Sequence, residues 1–60
     1  MKIEDVIIGV RYRISGDLKN GSYITHDDVV RKIKRITDTY VICECGRQFI
    51  INENLKIEKF

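Results

Sequence analysis

The chain has 60 residues, with 11 Lys and Arg against 9 Asp and Glu, a net charge of +2, no Trp or Pro, two Cys and four Gly. At 43% hydrophobic residues it folds as one small domain over 1–60, and the composition excludes collagen, a coiled-coil rod, a disulfide scaffold and a disordered tail. A domain of this size buries only about 60% of its unfolded surface, which favours a small barrel, a hairpin-rich α+β unit or a homodimer over an enzyme with a large pocket.

The first fifteen residues contain one apolar run, Val6 to Val10, which follows Glu4 and Asp5. It lacks the basic start and longer apolar core of a secretory signal, and it is far short of the ~20 apolar residues of a membrane span. A cytoplasmic location, no membrane partner and two reduced thiols are expected. From Val6 to Ile14 the apolar residues alternate: Val6, Ile8, Val10, Tyr12 and Ile14 share one face. That period of two, rich in β-branched types, predicts a half-buried strand over 6–14. The stretch 15–22, SGDLKNGS, reads as a turn, with Asn20-Gly21 as its strongest dipeptide.

Residues 25–37, THDDVVRKIKRIT, admit two readings. Thr25 and Asp28 have capping-box spacing, Ile24 and Val29 fit a hydrophobic staple, and Val29, Val30, Ile33 and Ile36 form a helical stripe. On these local rules a helix is favoured. A strand would place Ile33 and Ile36 on opposite faces unless a bulge near Lys34-Arg35 intervened. Tyr40–Cys45 and Gln48–Ile51 predict a hairpin turning at Gly46-Arg47, Asn52 to Asn54 break the run, and Leu55 to Phe60 alternate as a closing strand.

The run Arg35-Ile36-Thr37-Asp38-Thr39-Tyr40-Val41, followed by Gly46 and Phe49, resembles the small SH3-like β-barrel proteins common in bacteriophage genomes. In them a second strand ends in a basic-aliphatic-Thr-x-Thr turn, and Gly-x-x-Phe opens the fourth strand. The resemblance covers about residues 29–60. The helix-start signal at Thr25 departs from it. It implies an all-β, five-stranded SH3-like barrel; the alternative is an α+β fold, β-α-β-β-β, with a helix at about 26–36. It also implies an accessory protein that acts by occupying a partner's surface, such as an inhibitor of a host or defence protein, in the host cytoplasm.

No catalytic signature stands in the chain. Cys43 and Cys45 with a single His, His26, fall short of the four ligands that a zinc site needs. Cys at i and i+2 on one strand would point the same way, as small core-facing or half-exposed side chains. His26-Asp27-Asp28 reads as a polar loop or cap rather than a general-base site, because no nucleophile motif accompanies it. No enzyme, metal or cofactor is expected.

The feature above background is Arg31-Lys32-Ile33-Lys34-Arg35, with four positive charges in five residues. The rest of the chain has seven basic residues against nine acidic and is net negative. Such a segment can neutralise phosphates, or it can serve as a solvated or edge-protecting face. Arg31, Lys32, Lys34 and Arg35, joined by Arg11 and Arg13, are the candidate phosphate contacts, and Tyr23 is the candidate exposed aromatic. The expected function is a non-catalytic binding module for nucleic acid or a nucleic-acid-handling protein. A protein-binding inhibitor and a structural homodimer are the alternatives. A basic stripe with an exposed aromatic would favour nucleic acid, and a basic patch ringed by acids a protein partner.

Overall fold

The structure is a computed structural model that describes residues 2–60. Five antiparallel strands form one sheet: β1 (Arg11–Asn20), β2 (Tyr23–Ile36), β3 (Tyr40–Cys43), β4 (Gln48–Ile50) and β5 (Lys56–Lys59). A 3-10 turn at Ile3–Asp5 precedes them. One edge of β1 pairs with β2 along the whole hairpin, from Arg11↔Lys32 to Asn20↔Tyr23. Its other edge pairs with β5 over Tyr12 to Ser15 and meets β4 at Leu18↔Phe49. With β2–β3 and β3–β4 also paired, the sheet closes on itself. The architecture is all-β, with five antiparallel strands in one closed sheet, compatible with the expected SH3-like barrel.

The core is built by alternation. Tyr12, Ile14, Gly16 and Leu18 are the buried positions of β1, and Ile33, Val41, Cys43, Phe49 and Ile57 complete the interior. Burying a large aliphatic or aromatic side chain stabilises by roughly 1.5–3 kcal/mol, so these few residues dominate the stability of so small a domain. Tyr12 keeps its hydroxyl satisfied inside by accepting a 3.1 Å hydrogen bond from the Ile7 N–H.

Three sequence expectations are corrected. The helix that local rules favour over 26–36, the alternative to the barrel, is strand β2. Thr25 accepts a 2.9 Å hydrogen bond from the Asn20 side chain across the hairpin instead of capping a helix, and Asp28 is taken by Arg13. A ladder of ten residue pairs with β1 overrides the local helix signals. The strand expected over 6–14 begins only at Arg11, because Val10 N–H bonds back to Ile7 C=O and closes a turn. Ile7, Ile8 and Val10 are consequently exposed. The turn expected over 15–22 shrinks to Gly21 and Ser22, with residues 15–20 in strand. Gly21 has φ 62° and Ser22 has no positive φ, the signs of a type II′ turn with Gly first.

Gly16 has a packing role. A Cβ there would lie 3.2 Å from Leu55 Cα and 3.3 Å from Leu55 Cδ1. Its lack of a side chain lets the β4–β5 connection lie against β1. That connection is turned by Asn52, whose side-chain and backbone oxygens accept from Asn54 N–H and Leu55 N–H. The Thr37-x-Thr39 connection works similarly: Thr37 Oγ1 accepts from Tyr40 N–H at 2.9 Å and Thr39 N–H at 3.2 Å.

Candidate nucleic-acid interface

β2 is irregular at one place. Ile33 pairs with Cys43, but Arg35 pairs with the next residue back, Ile42, leaving Lys34 as the extra residue of a bulge. A regular strand would alternate Ile33, Lys34, Arg35 and Ile36 between faces. The bulge instead leaves Lys34 and Arg35 both exposed, while Ile33 is buried and Ile36 packs against the core. It therefore delivers two adjacent cations to solvent.

Register brings in a further cation. Arg11 lies directly opposite Lys32, and opposed residues of antiparallel strands have Cβ atoms about 4.5–5.5 Å apart. Like charges so placed destabilise the pair. Arg31 lies opposite the buried Tyr12, yet is itself exposed, and its Nη1 donates to the Val30 carbonyl at 2.7 Å.

Two acidic neighbours of this segment are committed elsewhere, while Glu44 lies next to Lys32. Asp28 receives a two-point contact from Arg13, at 3.1 and 2.8 Å, and Asp27 receives Arg47 Nε at 2.9 Å. The Arg13 guanidinium holds the Asp28 carboxyl below the usual carboxylate range. The Arg47 guanidinium, helped by the Asp28 N–H, does the same for Asp27. Among the described residues, Arg11, Arg31, Lys32, Lys34 and Arg35 enter no ion pair. They face solvent without an ion-pair partner, although Arg31 is close enough to Asp27 to help lower the pKa of its carboxyl.

An open groove of about 650 Å³ lies beside this cluster. Arg11, Arg31, Lys32, Cys45 and Phe60 line it, with Glu44 as the acidic group of its wall. Phe60 reaches it because β5 pairs with β1 through Tyr12↔Lys59, which brings the next residue alongside Arg11. Phe60 is 80% exposed.

The candidate residues thus fall into three groups. Arg11, Arg31, Lys32, Lys34 and Arg35 are exposed and free of ion pairs among the described residues. Arg13 is tied to Asp28. Tyr23 is 73% exposed but sits at the far end of β2, beside the hairpin turn. The aromatic at the cations is Phe60, which alternation alone had assigned to a closing strand; only the β1–β5 register reveals its neighbour.

The other chemistry-bearing residues disperse. His26 Nδ1 lies 3.3 Å from Asp17, so His26, Asp27 and Asp28 have three different partners. Asp17 also accepts from Asn52 and Asn54, each at 3.0 Å. Cys43 is buried, but β3 ends there and the chain turns, leaving Cys45 exposed rather than pointing the same way. Burial pushes the Cys43 thiol up to about 11. Burial also acts to raise Cys45, but hydrogen bonds from the Arg47 backbone and guanidinium and from Arg31 outweigh it, and its thiol lies below the ordinary value. No helix among the described residues is long and apolar enough to cross a membrane. No family model, no curated protein and no solved structure matches the chain.

Proposed function

We propose that this chain is a non-catalytic nucleic-acid-binding module that grips the phosphate backbone with Arg11, Arg31, Lys32, Lys34 and Arg35. The observation that carries this reading is the directly opposed Arg11–Lys32 pair, extended by Lys34 and Arg35 and without an acidic partner among the described residues. Opposed like charges cost the fold stability, and a polyanion removes that cost while releasing its own counterions. The resemblance to small phage SH3-like barrels supports an accessory role in a host cytoplasm.

The test replaces Arg31, Lys32, Lys34 and Arg35 together with Gln. Exposed charges contribute only ~0–1 kcal/mol each to stability, so the circular dichroism spectrum is expected to persist. Affinity for a labelled oligonucleotide is expected to fall by at least about tenfold at low salt. Unchanged affinity would clear this segment of the role. A second reading, a protein-binding inhibitor, is favoured by the exposed Ile7, Ile8 and Val10. It is the expected outcome if no oligonucleotide binds and a partner protein is retained by these apolar residues.

A further inference from the structure

We infer that the groove takes single-stranded rather than duplex nucleic acid, with Phe60 stacking on an unpaired base while Arg11, Arg31 and Lys32 hold the flanking phosphates. This rests on the nucleic-acid reading above and names the class of strand. The basic residues alone do not discriminate, because duplex and single strand both present phosphates. Phe60 does. It is 80% exposed and lines the groove with Arg11, Arg31 and Lys32. An aromatic face set among cations is the recurring platform for unpaired bases, whose π-faces are free. In a duplex those faces are covered by neighbouring base pairs, so the ring gains nothing from them.

The groove has the dimensions and polarity for this. It is an open groove of about 650 Å³, which leaves a strand free to pass along it with its backbone in solvent. Glu44, whose N–H bonds the Lys32 carbonyl, stands beyond Lys32 from Phe60, so its charge pushes phosphate away from Lys32 and toward Arg11, next to the ring. Position 60 follows directly on β5, whose pairing with β1 holds the chain at Tyr12↔Lys59. The ring is thus anchored one residue from a paired strand, which lowers the ordering cost of stacking.

The experiment titrates the full chain with labelled polythymidine of about 15 nucleotides, within the span of known single-strand sites, and with a duplex of equal length. Wild type is compared with Phe60→Ala and Phe60→Tyr. Wild type is expected to prefer the single strand. Phe60→Ala is expected to lose about 5-fold to 100-fold in single-strand affinity, with duplex affinity unchanged and Phe60→Tyr close to wild type. The exposed ring contributes little to the core, so a circular dichroism match identifies the variants as folded. Duplex bound as tightly as single strand, or Phe60→Ala binding polythymidine like wild type, overturns the inference while leaving the phosphate-binding reading standing. Binding of neither strand at low salt overturns both.

Discussion

Ile33 and Ile36 lie on the same strand three positions apart, yet both turn inward, Ile33 opposite Cys43 and Ile36 opposite Val41. Lys34 makes this possible as the extra residue between two otherwise regular stretches of the β2–β3 ladder. Its removal would leave Ile33↔Cys43, Arg35↔Ile42 and Ile36↔Val41 in continuous register. Deleting Lys34 is therefore expected to leave the domain cooperatively folded, within about 1–2 kcal/mol of wild type by urea unfolding. Deleting Ser15 is the contrast. It sits in β1 with β2 on one edge and β5 on the other, and a one-residue slip there turns Tyr12 and Ile14 outward. Loss of the cooperative transition is expected. Equal tolerance of the two deletions would contradict the role assigned to the bulge.

Gly16→Ala is expected to destabilise by about 1–3 kcal/mol, because the new methyl meets the Leu55 backbone at 3.2 Å. A denaturation midpoint equal to wild type would show that the β4–β5 connection is not packed against β1 as described.

The Asp17 network sets an acid dependence. Hydrogen bonds from Asn54, Asn52 and His26 hold the Asp17 carboxyl below its ordinary value. A carboxylate depressed in the folded state contributes stability that is fully present above its unfolded pKa and is lost as pH falls through the folded one. Urea midpoints are expected to be insensitive to this group above about pH 5 and to decline below about pH 4. Asp17→Asn should be less stable near neutrality and show a shallower acid decline. A variant whose decline parallels wild type would remove Asp17 from this role.

Much of the fold was legible in short-range chemistry. The Thr37-x-Thr39 turn was expected from the resemblance to small SH3-like barrels, and its physical basis is local, a hydroxyl accepting two backbone N–H groups. Tyr12 and Phe49 announced themselves as core by alternation. Residues 25–37 admitted two readings because a bulged strand and a helix both put Ile33 and Ile36 on one face; the structure has the strand, with its bulge at Lys34, and the ladder with β1 decides between them. Val6 to Val10 misled because β-branched alternation does not reveal that Val10 N–H closes a turn onto Ile7. The charge run was visible as sequence. The pairing of Arg11 with Lys32, the engagement of Arg13 by Asp28 and the placement of Phe60 beside Arg11 are products of register, which no local pattern encodes.

The two thiols are expected to differ in reactivity. Cys45 is exposed and accepts from Arg47 Nη1 at 3.3 Å, whereas Cys43 is buried with its thiol pushed up to about 11. Thiolates, not thiols, are the reactive form. An alkylating reagent near neutral pH should therefore label Cys45 quickly and Cys43 only after unfolding. Arg47→Gln should raise the pH at which Cys45 labelling reaches half its maximal rate. Mass spectrometry of digested protein distinguishes the sites, and equal labelling of the folded chain would contradict their placement.

The most direct measurement is the salt dependence of polythymidine binding by the wild-type chain. If the exposed cations hold phosphates, log affinity should fall linearly with log salt at a slope of about −2 to −3.5, given ~0.7 per single-strand phosphate contact, and each Gln substitution among Arg11, Arg31, Lys32, Lys34 and Arg35 should reduce that slope by about 0.7. A slope near zero, or no binding at about 20 mM salt, where such contacts are strongest, would contradict it.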